Sequence, residues 1–125
     1  MSSRPLVVFL SGAGWSCRYQ AVTLAVTAAA LGDAVTVALA FEPLVALVEG
    51  RFDEGAPAGA SAAKVPPLTE TLAEARRELG LRLVACETAV RLAGLDPPAA
   101  RAALDGLEPL PEQWRLARAG RAIAF

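Results

Sequence analysis

Gly80-Leu81-Arg82-Leu83-Val84-Ala85-Cys86-Glu87-Thr88-Ala89-Val90-Arg91-Leu92-Ala93-Gly94 is the stretch that decides the fold. A glycine stop is followed by a short apolar run, Leu81–Ala85, then by a polar turn and an alanine-rich segment closed by a second glycine. A short, near-continuous apolar run is what a strand buried on both faces requires, as in a parallel sheet covered by helices. The reading is therefore a strand, Cys86 at its carboxyl end, and a short helix over Glu87–Ala93.

The same grammar extends in both directions. Upstream, Pro66-Pro67 opens a helix to Leu79 with Leu68, Leu72, Ala75 and Leu79 as its apolar stripe, and Gly80 ends it as a C-cap. Leu6–Leu10 is a second apolar run, ending in Ser11-Gly12-Ala13-Gly14. Ser16 is the expected cap of a helix over Cys17–Leu31. That helix has no charge after Arg18, and Gln20, Thr23 and Thr27 form one narrow polar stripe. A helix so apolar is expected to be covered on most sides, by the sheet on one and a neighbouring subunit on another. Leu31-Gly32-Asp33 stops it and Ala34–Ala40 forms the second strand, so Ala21–Phe41 reads as helix and strand rather than as a membrane span. Glu42-Pro43 opens a short helix through about Glu49, and Gly50–Lys64 is expected to be a mobile loop. Downstream, Asp96-Pro97-Pro98 starts a helix through about Leu104 and Leu107–Leu110 a short strand. Pro111–Ala119 is the last helix, with Trp114 as a packing residue, and Arg121–Phe125 the last strand.

Strands alternating with helices predict an α/β fold: a three-layer α/β/α sandwich with a mostly parallel sheet of about five strands. The 125 residues fit a single domain over 1–125. Right-handed crossovers place the loops after the strands along one edge of the sheet, where open α/β sheets collect ligands and reactive groups.

Composition narrows the chemistry. With 12 basic and 13 acidic residues and a net charge of −1, nothing marks a nucleic-acid or membrane-surface partner. Hydrophobic residues are 54% of the chain, which points to faces buried in a homo-oligomer. There is no histidine, so Ser-His-Asp and Cys-His catalysis and His-containing zinc sites are excluded, and two cysteines cannot form a four-cysteine site. No metal and no cofactor is expected. Free thiols and a cytoplasmic location are the default for such a chain, and Pro5–Leu10 is too short for the apolar core of a signal peptide.

The loops after the first three strands carry Trp15, Ser16, Cys17 and Arg18; Phe41 and Glu42; and Cys86, Glu87 and Thr88. Topology brings them to one edge. Cys86 opens a helix, whose free amide groups and partial positive charge favour a thiolate, the nucleophilic form. Glu87 opposes that effect and Arg18 supports it if it reaches. Against this stands a Cys86 that serves as a small buried hydrophobe. Cys17 is a second thiol able to resolve against Cys86 if the two Cα atoms come within about 7 Å, or a small residue where the chain enters a helix. Trp15 is placed to line a pocket or a subunit boundary, and Glu42 to act as a general base or a cap. Ser11-Gly12-Ala13-Gly14-Trp15 lacks the lysine and hydroxyl residue of a phosphate-binding P-loop and reads as a tight turn.

The segment Gly80–Leu95, taken with the long first helix, the Gly32-Asp33 before the second strand and the terminal helix and strand ending in Phe125, resembles the DsrE/DsrF/DsrH-like family, which includes the TusD-type sulfur-relay proteins. The resemblance implies a sulfurtransferase or sulfur carrier that holds sulfane sulfur as a persulfide on the cysteine matching Cys86. It also implies donor and acceptor proteins and a homo- or hetero-oligomer, trimeric or hexameric. The Trp15-Ser16-Cys17-Arg18 loop departs from the family pattern. Two further readings come from the residues. One is a non-enzymatic oligomeric binding module with a small-molecule pocket near Cys86. The other is a two-cysteine redox protein using Cys17 and Cys86.

Overall fold

Each apolar run of the sequence becomes a strand of one parallel sheet. The computed structural model describes residues 4–125. The chain runs β1 (Pro5–Leu10), α1 (Trp15–Ala30), β2 (Ala34–Leu39), α2 (Phe41–Val48), α3 (Ala58–Ala62), α4 (Leu68–Leu79), β3 (Arg82–Ala85), α5 (Glu87–Leu92), α6 (Pro97–Ala103), β4 (Gly106–Leu107), α7 (Leu110–Ala119) and β5 (Arg121–Ala124). The five strands are ordered β4-β3-β2-β1-β5 and every pair is parallel.

The order fixes the layers. From β1 to β4 each connection steps one strand in the same direction, so right-handed crossovers put their helices on one face. The connection from β4 to β5 runs back across the sheet and must cover the other. The core follows this division. Leu6, Val8, Leu10, Val35, Val37, Leu39 and Leu83 share one buried cluster with residues of α1, α2, α4, α5 and α6. Val7, Ala38 and Val84 share a second, smaller cluster with Ala117 of α7. The architecture is a three-layer α/β/α sandwich whose third layer is a single helix.

Several local expectations change. α1 begins at Trp15, with Gly14 at φ 97° as its N-cap and no side-chain cap, so Ser16 lies inside the helix. Its stripe of Gln20, Thr23 and Thr27 is exposed, and the helix packs on α4 as well as on the sheet. The segment Gly50–Lys64 is not a free loop: it contains α3 and is tied down by the buried Phe52. Asp53 in that segment caps α4, accepting from the backbone N–H of Leu68 and, at 2.6 Å, from the Thr69 hydroxyl. Gly80 ends α4 in the left-handed conformation, φ 68°, that a side chain would strain. The fourth strand is Gly106–Leu107 rather than Leu107–Leu110, because the chain turns into α7 with Pro109 as its N-cap. Trp114 is exposed instead of packed: α7, alone on its face, turns Gln113 and Ala117 inward.

Candidate functional site

The direction of the connections creates a crevice. After β3 the chain turns into α5 on the crowded face; after the neighbouring β4 it turns into α7 on the other. Adjacent strands whose connections diverge leave an opening at their carboxyl ends, the usual ligand position in open α/β sheets. Cys86 stands at that opening. It follows β3, takes an extended conformation (φ −84°, ψ 150°) and is the N-cap of α5. Its half-buried Sγ accepts a hydrogen bond from the Ala89 N–H at 3.2 Å, so the sulfur occupies the place a serine or aspartate oxygen takes in other caps.

Two cavities meet at this sulfur. One, about 290 Å³, has a floor of Phe9, Leu10, Ala38 and Leu39 from the ends of β1 and β2, and a rim that includes Phe41, Leu92 and Leu110. It is lined by apolar groups apart from backbone, Ser11, Thr88, Gln113 and Cys86 itself. The other, about 570 Å³, is the crevice proper, lined by Cys86, Glu87 and Thr88 on the β3 side, by Leu107, Pro109, Leu110 and Pro111 on the β4 side, and by Arg101 of α6. Phe41 at the rim of the first cavity is held at φ 56°, a conformation that costs a bulky residue on the order of 1–3 kcal/mol and that clusters at binding sites.

Of the residues expected at the site, the structure gathers Cys86, Glu87 and Thr88 around these cavities and leaves Trp15, Arg18, Glu42 and Cys17 outside their linings. Glu87 is held by Arg91 one turn along α5, at 2.9 Å. Arg18 is only 3% exposed. Its Nε donates to the Phe52 carbonyl at 2.8 Å, one terminal nitrogen to the Glu42 carboxylate at 2.5 Å, and the other to the Glu54 carbonyl at 2.6 Å. Its guanidinium also lies 5.6 Å from the Phe52 ring centroid. Arg18 and Glu42 thus partner each other and clasp the segment after α2, which removes Arg18 as the support of a Cys86 thiolate. Trp15 stacks on Tyr19 with ring centroids 5.0 Å apart and lines a separate hollow with Pro57, Pro66 and Pro67. Cys17 and Cys86 are both free thiols. The Cys17 sulfur lies against Gly12, close enough (2.8 Å) to block a Cβ there.

Two further residues belong to the site. Arg101, in an alanine-rich helix, carries no motif; only the placement of α6 beside the crevice reveals it. Gln113 is 5% exposed and donates through Nε2 to the Glu108 carbonyl at 3.0 Å, which seats the first turns of α7 against the cavity. Its signal was a polar residue at the inward position of α7.

The arrangement defines a class: an α/β domain with an all-parallel five-stranded sheet and a thiol at the carboxyl end of its third strand. No family model matches the chain, and no curated protein is significantly similar to it. Among solved structures, the chain is similar in fold to the YchN protein from E. coli, with a TM-score of 0.65 over 98% of this chain and 99% of that one, at 14% sequence identity. The likeness is one of fold. Among the described residues no helix is long and apolar enough to cross a membrane.

Proposed function

We propose that this protein is a sulfur carrier that holds sulfane sulfur as a persulfide on Cys86 and passes it to the thiol of a partner protein. The observation that carries the reading is the position of Cys86: a free, half-buried thiol at the crevice between two diverging connections, its sulfur facing a backbone N–H. Persulfide exchange is attack of a thiolate on a sulfane sulfur, and a thiol at an open crevice can be reached by both donor and acceptor. That chemistry needs neither histidine nor metal. The resemblance of the Gly80–Leu95 segment to the DsrE/DsrF/DsrH-like family and the fold shared with YchN support it. The partners are sulfur donor and acceptor proteins in the cytoplasm. The assembly is a homo-oligomer, supported by the exposed Phe41, Leu92, Leu110 and Trp114 around and beyond the rim of the site.

After incubation with a persulfide donor, the intact mass should rise by one sulfur in the wild type and not in Cys86→Ser. A wild type that stays unmodified with a competent donor sinks the reading. The apolar cavity beside Cys86 favours a second reading, a binding module for a small apolar ligand. It predicts thermal stabilisation by such a ligand with an unreactive Cys86.

A further inference from the structure

We propose that Arg101 makes the crevice a receptor for the anionic leaving group of a small sulfane-sulfur donor, a deepening that rests on the sulfur-carrier reading. Three observations lead there. First, Arg101 lines the crevice together with Cys86, and no other cationic side chain does among the described residues. Second, the other charged side chain of the crevice lining, Glu87, is paired with Arg91, and Arg18 is held by Glu42 and two carbonyls. Arg101 itself is exposed and forms no ion pair among the described residues, so its guanidinium is available to a ligand. Third, the apolar cavity that shares Cys86 with the crevice has no charged lining, and an unpaired anion there would be heavily penalised.

These facts set the direction of the donor. Displacement at sulfur is in line: the leaving group departs opposite the attacking thiolate. An anionic leaving group must therefore point into the open crevice, where Arg101 presents a planar, permanently charged fork suited to oxyanions. With thiosulfate as the example, the Cys86 thiolate attacks the sulfane sulfur. A new S–S bond forms to Cys86, the S–S bond of thiosulfate breaks, and its electron pair leaves with sulfite. A monoanion and a dianion give the Cys86 persulfide anion and the sulfite dianion, so no proton, oxidant or reductant is required. Arg101 holds the sulfonate in the donor and the sulfite as it departs. It is a specificity residue, acting on the leaving group rather than on the thiol.

The test uses the full chain in a Cys17→Ser background, so that Cys86 is the sole thiol. Loading from thiosulfate is followed by intact mass. In parallel, the rate of Cys86 modification is measured with anionic sulfonatoethyl and cationic trimethylammonioethyl methanethiosulfonate. Arg101→Ala should slow thiosulfate loading and lower the anionic-to-cationic rate ratio by about tenfold. Tenfold is what one unit charge contributes at an assumed separation of about 6 Å from the reagent's charge under water-like screening, which slows one reagent and speeds the other. Arg101→Lys should keep most of the ratio, and Arg118→Ala on α7 should leave it unchanged. A ratio and loading rate unaffected by Arg101→Ala overturn the proposal. A wild type that loads from a persulfide donor but not from thiosulfate also overturns it and leaves the sulfur-carrier reading standing. A wild type that loads from neither overturns that reading, and the charged-reagent ratio then decides alone whether Arg101 forms an anion subsite.

Discussion

Arg18→Ala separates a structural arginine from a catalytic one. In the folded protein its guanidinium is almost wholly buried and joins three groups that no other residue ties together: the Glu42 carboxylate in the first turn of α2 and the carbonyls of Phe52 and Glu54. Removing one partner of a buried charged network costs about 3–5 kcal/mol, because the others are left unpaired. Here the Glu42 end is 41% exposed and recovers some hydration, which moves the expectation to about 2–3 kcal/mol. For a domain of this size that is roughly 10 °C in Tm and a large share of a total stability of about 5–15 kcal/mol. Urea unfolding followed by far-UV circular dichroism reads the first number, and alkylation of Cys86 in folded protein reads the second effect. The alkylation rate should stay within about twofold of the wild type, since Arg18 lines neither cavity at the thiol. A variant that keeps its full stability, or one that is stable but loses Cys86 reactivity, would refute the clasp.

Two further outcomes test the frame that holds the site. Asp105 joins β3 to α4: its carboxylate accepts from the Leu83 N–H at 2.7 Å and takes Arg76 in a two-point contact. Burial pushes its carboxyl up, but the Arg76 and Leu83 hydrogen bonds and the charges of Arg76 and Arg82 outweigh that and hold it below the ordinary 3.8. A depressed carboxyl stabilises the fold above its unfolded value and loses that contribution as pH falls through the folded one. Asp105→Asn should therefore cost about 1 kcal/mol at neutral pH, with the gap to wild type narrowing as the pH falls below the ordinary 3.8 and closing once the folded carboxyl is protonated, in urea titrations. Gly120 lies where α7 meets β5, and a Cβ there would overlap the backbone carbonyl of Pro5. Gly120→Ala should cost about 1–3 kcal/mol in the same assay and speed hydrogen exchange along β5.

Much of the fold was legible because consecutive apolar residues have few structural uses. Leu6–Leu10, Ala34–Ala40 and Leu81–Ala85 each read as strands and each became one, within a residue at the ends. Capping was less legible where it is not local. Gly14 displaced Ser16 at the start of α1, and α4 takes its cap from Asp53, fifteen positions before Leu68. The site divided in the same way. Cys86 was marked by its place at a strand end, a local property. The partnership of Arg18 with Glu42, and the approach of Arg101 to the crevice, exist only once the chain has packed, and no spacing in the sequence encodes them.

That division bears on how charge is arranged at this edge of the sheet. Arg18 and Arg101 have the same guanidinium but opposite situations. The first is buried and spends its donors on a carboxylate and two carbonyls, so it cannot answer to a ligand without breaking the segment it holds. The second stands in an open crevice with no acidic partner among the described residues, so its charge is felt by whatever enters. Cys86 lines both that crevice and an apolar hollow. The two cavities differ in chemistry: the hollow suits a neutral or apolar group, while the crevice carries the one cationic lining side chain among the described residues. The polarity of the site therefore comes from where the connections after β3 and β4 part, and on the proposal above a sequence that kept Cys86 but lost Arg101 would keep the thiol and lose the anion preference beside it.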